Sequence, residues 1–433
     1  MDSHTVVHRT TPLSFPACGA RWTTVCGRKA SARWRDAHLC TIHTPYYDHY
    51  HVIHPSGEKG CPVKFRCERD VLAEALATAS RAATGRGSTH PVLQGVRLEV
   101  LGDQLTITGT DLELTIQKVV AVGGEVDGGA VVPAKLAADI VRALPAGRVE
   151  VAVGEEDVKI SAGRSQFSVR ALSFDDYPRI SPSAAAAVTL DAGAFSDALR
   201  QVVSAASKDE GRPVLTGVLL AAENDGLRLV ATDSYRLAVR DLPGVSVLGA
   251  EQRVLVPARA LNELQRVLSD GPEVTLRIGE NDATFEIGGT RLSTRLIPGD
   301  FPNYRQLIPP SHPNLLTVNR GELLDAIRRM KILARDTSTT TSVLRLKISA
   351  DSLQLTTITQ DIGNASEELD ATASGDELKV AFNPEYLAAG VEAVPNDEVT
   401  LSTTDGLKPA IVRGVGNDDF LYLLMPVRVQ HDA

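Results

Sequence analysis

Pro213-Val214-Leu215-Thr216-Gly217-Val218 opens the stretch that decides the fold. After a polar turn at Asn224 to Gly226, Leu227, Leu229, Ala231, Thr232, Asp233, Ser234, Tyr235, Arg236 and Leu237 continue it to Arg240. Apolar residues alternate on both sides of a glycine-containing turn, which predicts a half-buried β-hairpin running on into a third strand. The same pattern occurs earlier. Pro91, Val92, Leu93, Gly95 and Val96 open it, Leu105 and Ile107 alternate through it, and Thr110 with Asp111 closes it, all at one constant offset. A period of about 120 residues is too long for a solenoid and predicts duplicated domains.

Working outward, Asp70 stands where it can cap a helix in which Val71, Leu72, Ala75, Leu76, Ala79 and Ala83 recur at helical spacing. Gly85 to Thr89 breaks it, and the first hairpin follows. Beyond a loop at Gly123 to Gly129, Val131, Val132 and Pro133 precede Leu136, Ile140 and Leu144, a second short helix stopped by Pro145. Val149, Val151 and Val153, then Val158 and Ile160, then Phe167 and Val169 read as three strands before Asp176-Tyr177-Pro178.

The second copy repeats that order. Phe195, Leu199, Val202 and Val203 mark its first helix, Pro257, Leu261, Leu264 and Leu268 its second, and Asp300-Phe301-Pro302 its exit, with strands at Val274 to Ile278 and Phe285 to Ile287. After the proline-rich link Pro309 to Pro313, Asn319 caps a helix bearing Leu323, Leu324, Ile327 and Met330. Strands follow at Leu344 to Ile348 and Leu353 to Leu355. A second helix runs from Asn383-Pro384 through Leu387 and Val391, and Val399, Leu401, Ile411 and Phe420 to Leu424 are later strands. This copy lacks the Thr-Asp pair. The expectation is an α+β fold of three tandem domains, 63–182, 188–309 and 314–433, each with two helices backed by antiparallel sheets.

The chain has 433 residues, 43% hydrophobic and 23% charged, with net charge −9. A plain groove-binding nucleic-acid protein needs a basic surface, so any nucleic acid must be met by a local patch or enclosed. No run approaches the roughly 18 apolar residues of a membrane span. Residues 1–62 stand apart: they hold Trp22, Trp34, Cys18, Cys26, Cys40, Cys61 and seven of the ten histidines. No two of these cysteines share the close spacing of a zinc site, and the start lacks a basic region followed by an apolar core. We expect this extension to be disordered or not part of the native product.

Pro213 to Gly217, Thr232-Asp233-x-x-Arg236-Leu237, Asp300-Phe301-Pro302 with Tyr304, Phe382-Asn383 with Tyr386, and Leu423 through Arg428 occur in order in three repeats. Together they resemble the bacterial DNA polymerase III beta subunit family, the sliding clamps, from Val63 to Val429. That resemblance implies a homodimeric ring of clamp domains joined head to tail, a heterologous contact whose rotation closes. It implies a seam in which Phe167 and Val169 meet the partner's Ile332 and the partner's Leu333. It also implies double-stranded DNA threaded without sequence specificity through a hole faced by helices. Arg86, Lys135, Arg142, Arg200, Lys208, Arg212, Arg259, Arg266, Arg328, Arg329 and Lys331 are the candidate phosphate contacts, a basic lining in an acidic body.

The family's second site is a groove between the second and third domains. It takes linear peptides from the replicative polymerase, the clamp loader and repair proteins. Matching positions are Leu215, Thr232, Ser234, Tyr235, Arg236, Leu237, Pro302, Leu307, Asn383, Tyr386, Leu407, Pro409, Met425, Pro426, Val427, Arg428 and Val429. Ser234-Tyr235 replaces a Gly-His of some relatives, Gln306 stands where an arginine can occur, and Val427 replaces a methionine. Asp111 and Asp233 read as turn residues accepting backbone hydrogen bonds. After Lys64 there are only His90, His312, His431 and Cys67, with no phosphate-binding glycine loop and no cluster of histidines and carboxylates. The expectation is a cytoplasmic, non-catalytic processivity factor with no cofactor, no metal and no membrane partner. The alternatives are a clamp paralogue with altered partner or inhibitor sensitivity, and a peptide-binding adaptor that never encircles DNA.

Overall fold

The structure is a computed structural model and describes residues 62–83, 90–154, 156–180, 185–223, 225–249, 252–334, 343–359 and 363–428. The extension, save Pro62, and the candidates Arg86 and Val429 lie outside the described residues. The first domain comprises β1 (Lys64–Glu68), α1 (Arg69–Ser80), β2 (Gly95–Leu101), β3 (Gln104–Thr110), β4 (Leu114–Ala121), β5 (Gly123–Val126), β6 (Gly128–Pro133), α2 (Ala134–Ala143), β7 (Arg148–Val153), β8 (Asp157–Ala162) and β9 (Ser165–Arg170). The second comprises β10 (Ala187–Asp191), α3 (Ala192–Val202), β11 (Gly217–Glu223), β12 (Gly226–Thr232), β13 (Arg236–Pro243), β14 (Arg253–Pro257), α4 (Ala258–Gln265), β15 (Glu273–Ile278), β16 (Asp282–Ile287) and β17 (Thr290–Arg295). The third comprises β18 (Asn314–Asn319), α5 (Arg320–Ala334), β19 (Leu344–Ile348), β20 (Ser352–Thr359), β21 (Gly363–Ser374), β22 (Leu378–Phe382), α6 (Pro384–Ala393), β23 (Glu398–Thr403), β24 (Ala410–Gly414) and β25 (Phe420–Leu424).

Among the described residues the strands form three sheets, of which two cross from one domain to the next. The first lies wholly in the first domain, in the order β5-β1-β7-β8-β9. The second runs β10-β15-β16-β17-β4-β3-β2-β6 and joins the first two domains through β17 and β4, with Leu292 opposite Ile116. The third runs β14-β11-β12-β13-β25-β24-β23-β18-β21-β20-β19-β22 and joins the second and third domains through β13 and β25, with Ala238 opposite Tyr422. Each domain's two helices pack on each other. Each internal joint is therefore a run of main-chain hydrogen bonds, with one polar peg beside the second: Gln201 of α3 is 2% exposed and donates from Nε2 to the Ala393 carbonyl of α6 at 3.0 Å.

Several expectations are corrected. Lys64–Glu68, Ala187–Asp191 and Asn314–Asn319 are strands that run straight into α1, α3 and α5. At each entry the first helical N–H is taken by a distant carbonyl: Arg69 by Gly147, Ala192 by Pro272 and Arg320 by Asp397, at 2.8, 2.9 and 2.8 Å. Asp70 is accordingly not the cap of α1; Glu68 holds that position with no side-chain bond, and Asp70 sits in the first turn. Asn319 and Asn383 do cap their helices, accepting from Glu322 at 3.1 Å and from Glu385 at 2.8 Å. Gly123 to Gly129 is not a loop, because β5 pairs with β1 and β6 pairs with β2. Leu136 is 49% exposed, since α2 buries Ala134, Ala137, Ala138, Ile140 and Val141 instead.

Pro213–Leu215 forms a 3-10 turn before β11. The hairpin itself is not half-buried. Leu220, Leu227, Leu229 and Ala231 pack into the helix-side core, while Leu219, Val230, Leu237 and Val239 pack on the opposite face with Ile297, Phe301 and Tyr304. The segment leading to the third domain folds back over part of that face.

Candidate functional site

At the end of β12 the chain reverses through Thr232–Arg236. Asp233 Oδ1 accepts the N–H groups of Tyr235 and Arg236 at 2.9 and 3.0 Å, and Thr232 Oγ1 accepts that of Ser234 at 3.1 Å while donating to the Arg236 carbonyl at 2.7 Å. The first domain repeats the turn with Thr110, Asp111 and Leu114. Both aspartates thus accept backbone hydrogen bonds, the role their types and placement predict. The third residue of each turn takes positive φ, +77° at Leu112 and +81° at Ser234. Side chains rarely adopt that region, at a cost of about 1 kcal/mol or more. Ser234→Gly is therefore expected to raise unfolding free energy by about 1 kcal/mol, read from denaturant unfolding; a loss of stability contradicts the turn as drawn.

The turn holds Arg236 in place. Its side chain is 12% exposed, and Nε donates to Asp233 Oδ2 at 3.0 Å. The guanidinium carbon lies 4.5 Å from the Tyr386 ring centroid, and Tyr235 stacks on the same ring at 6.3 Å. Arg236 Nη1 also reaches the Tyr422 hydroxyl at 3.5 Å, and that hydroxyl donates to the Tyr386 carbonyl at 2.9 Å. Burial opposes the charge on Arg236, but Tyr422 and Asp233 outweigh it and hold the guanidinium above its ordinary value. Burial also pushes the Tyr422 phenol up to about 12. A flat cation locked between two tyrosines and a carboxylate presents its remaining donors in one orientation.

Tyr386 is positioned by the Asn383 cap, whose Oδ1 accepts its N–H at 3.4 Å. Tyr422 lies against Gly390 of α6, where an added Cβ would come within 2.5 Å of the ring. Gly390→Ala should accordingly cost about 1–3 kcal/mol through overpacking and shift the Tyr422 hydroxyl off its partner. Thermal unfolding with the tyrosine near-ultraviolet dichroism checks both; an unchanged signal at unchanged stability refutes the contact.

The tail after β25 crosses this cluster. Met425 N–H donates to the Tyr235 carbonyl at 2.9 Å and Val427 N–H to the Ala381 carbonyl at 2.7 Å. Met425 is 38% and Tyr235 59% exposed. Pro426 and Val427 are half-buried and Arg428 is exposed. Leu215, Thr232 and Leu237 are buried, so they build the wall from behind. Exposed Pro302 and Leu307 stand on the segment between the second and third domains, and Leu407 and Pro409 on the loop before β24. Sequence reasoning missed Tyr422: it sits in an unbroken apolar run that reads as core, and nothing local marks its hydroxyl.

The joint between the first and second domains has the same backbone bonds. Arg295 N–H donates to the Glu113 carbonyl and Ile297 N–H to the Leu255 carbonyl, at 3.0 and 2.9 Å. Here, however, Leu114 replaces Arg236, Glu113 replaces Tyr235 and Ala260 replaces Tyr386. The freed Asp111 carboxylate takes Arg259 of α4 at 2.6 Å, an ion pair across the joint.

The described candidate phosphate contacts are exposed except Lys331, but most are paired. Arg142, Arg200, Arg212, Arg266 and Arg328 each sit three residues after an acid, on Asp139, Asp197, Asp209, Glu263 and Asp325 at 2.8 to 3.6 Å. Arg329 is bidentate on Glu367, and Lys331, 15% exposed, is held by Glu385 at 2.7 Å. Lys135 and Lys208 are exposed. The expected basic lining is thus largely balanced by its own carboxylates. Of the seam candidates, Phe167 and Ile332 are 40% and 73% exposed and Leu333 is half-buried. Val169, 6% exposed, belongs to the first domain's core, although it shares a face of β9 with Phe167, two residues earlier and exposed.

Sequence profiles of the DNA polymerase III beta subunit match three stretches: the N-terminal domain at 63–181, the central domain at 189–303 and the C-terminal domain at 305–428. The beta sliding clamp of Streptomyces coelicolor is 33% identical over 384 residues, covering 85% of this chain and 100% of the relative. That of Synechocystis is 34% identical over 391 residues, with the same coverage. Among solved structures, the DNA polymerase sliding clamp of Bacillus subtilis superposes with a TM-score of 0.79 at 28% identity, covering 86% of this chain and 100% of its own. The sliding clamp of Bartonella birtlesii, solved bound to griselimycin, gives 0.80 at 30% identity, covering 85% and 100%.

Proposed function

The chain belongs to the DNA polymerase III beta subunit family, the bacterial sliding clamps, and on that premise we propose that two copies close head to tail around duplex DNA. The family is a non-catalytic processivity factor. Its members hold a polymerase to its template by mechanical linkage. What supports closure in this chain is the pair Phe167 and Ile332, large apolar side chains exposed in the first and third domains. Phe167 lies on β9, an outermost strand of its sheet. Exposed apolar groups beside an unpaired strand edge are what a seam between subunits consumes.

The peptide site of this reading is the cluster of Tyr235, Arg236, Tyr386 and Met425, with Pro302, Leu307 and Leu407 around it. It offers aromatic faces, a fixed guanidinium and a methionine able to repack. The replicative polymerase, the loader and repair proteins would present linear segments to it in the cytoplasm. No helix among the described residues is long and apolar enough to cross a membrane. The test is topological: protein loaded on closed circular DNA should stay through gel filtration and be lost on linearisation. Equal retention on both forms would overturn encirclement and leave an adaptor.

A further inference from the structure

The second domain holds a cavity of about 660 Å³ that shares Pro302 with the surroundings of the candidate groove. Leu219 of β11 and Leu255 of β14 form its apolar floor, the β15–β16 turn at Asn281 forms one wall, and Ile297 to Arg305 forms the other. Backbone register identifies its twin in the first domain. Ala171 and Leu172 N–H donate to the Glu156 and Val131 carbonyls, as Leu296 and Ile297 N–H donate to those of Asn281 and Leu255. Leu172 therefore stands where Ile297 does and, two residues later, Phe174 where Gly299 does. By the pairing of β2 with β6 and of β11 with β14, Arg97 corresponds to Leu219 and Gly129 to Arg253.

In the first domain this place is filled. The Phe174 ring lies on Gly129, where an added Cβ would approach it to 2.5 Å, and the Arg97 guanidinium caps the ring at 4.4 Å. In the second domain the ring is missing, and the backbone keeps it so, because Gly299 takes φ +117°. The guanidinium is nevertheless supplied twice. Arg253 and Arg305, 60% and 56% exposed, both converge on Glu223, which is 8% exposed. Glu280 and Asp300 also line the cavity, so the arginines' charge is already answered and a bare anion is not its complement. Phe301 and Tyr304 also line the cavity, packed edge to face on each other at 6.3 Å, but neither stands at the position of Phe174, which Gly299 leaves without a ring.

We propose that this cavity seats an aromatic side chain of a partner polypeptide, in the place that Phe174 fills in the first domain. Seating a ring rests on the internal twin; that the ring arrives on a groove-bound partner rests on the proposed function. The probe is N-acetyl-4-fluorophenylalanine methylamide, titrated into the full chain and followed by fluorine NMR. Binding should weaken about tenfold or more in the double variant Arg253→Ala with Arg305→Ala and vanish in Asn281→Trp, which fills the mouth from an exposed turn. The N-acetyl-leucine methylamide analogue should compete at least tenfold less well than its phenylalanine counterpart. No binding to the unaltered chain, or equal binding to it and to both variants, overturns the site. Appending a phenylalanine through a glycine linker to either end of a groove-binding peptide should raise affinity in the unaltered chain and not in Asn281→Trp. If the free probe binds and neither extension gains, the partner origin of the ring is overturned. A groove reading that fails would show separately, as peptide affinity indifferent to Arg236.

Discussion

Arg236→Ala is expected to weaken capture of a linear partner peptide by about a hundredfold, about 2.7 kcal/mol. The side chain is almost wholly enclosed, and its removal does three things at once. It strips the cation from the Tyr386 face, leaves the Tyr422 hydroxyl without its donor, and leaves one oxygen of the Asp233 carboxylate without its partner. Truncating one member of a buried, hydrogen-bonded charge pair costs about 2–5 kcal/mol, and anchors of this type dominate interface energetics. Arg236→Lys keeps the charge but not the flat fork, and should fall between the two. Calorimetry with a linear clamp-binding peptide measures the loss, and retention on circular DNA serves as the control that should not move. An affinity within threefold of the unaltered chain would remove this cluster from the peptide site.

The second large effect concerns the seam. Ile332 is 73% exposed in the single chain, so Ile332→Glu should leave the subunit folded, within about 0.5 kcal/mol. In the proposed ring the same position is enclosed, and an uncompensated carboxylate there costs several kcal/mol. Because a head-to-tail pair has two seams, each dimer carries the penalty twice. The dimer dissociation constant should rise by about a thousandfold or more, roughly 4 kcal/mol. Sedimentation should show monomers at micromolar concentration, circular DNA should no longer be retained, and peptide affinity should be unchanged. A variant that stays dimeric would refute the seam at α5.

The hairpins were legible because alternation, a turn and the Thr-Asp pair recur at one offset in two copies. Helices with strong spacing or an asparagine cap, such as those at Asn319 and Asn383, were legible for the same local reason. What stayed hidden is set by partners distant in sequence. Lys64–Glu68, Ala187–Asp191 and Asn314–Asn319 pass straight into helix with no turn between, and the carbonyls of Gly147, Pro272 and Asp397 take over the first helical N–H groups. The groove residues came from a resemblance to a family, not from periodicity, and Tyr422 escaped because its neighbours are all apolar. The acids three residues before Arg142, Arg200 and Arg328 stand in the sequence, and helix geometry brings each onto its arginine.

The Arg259–Asp111 pair has a consequence for stoichiometry. Duplication gave the subunit two junctions of the same construction, and at one of them an ion pair bridges the space while leucine, glutamate and alanine stand where the other has its arginine and tyrosines. In the proposed ring each subunit would offer the one tyrosine–arginine junction among its described residues, so the pair would seat two clients. One client could then depart while another stayed docked, and the exchange would not require the collar to leave its DNA.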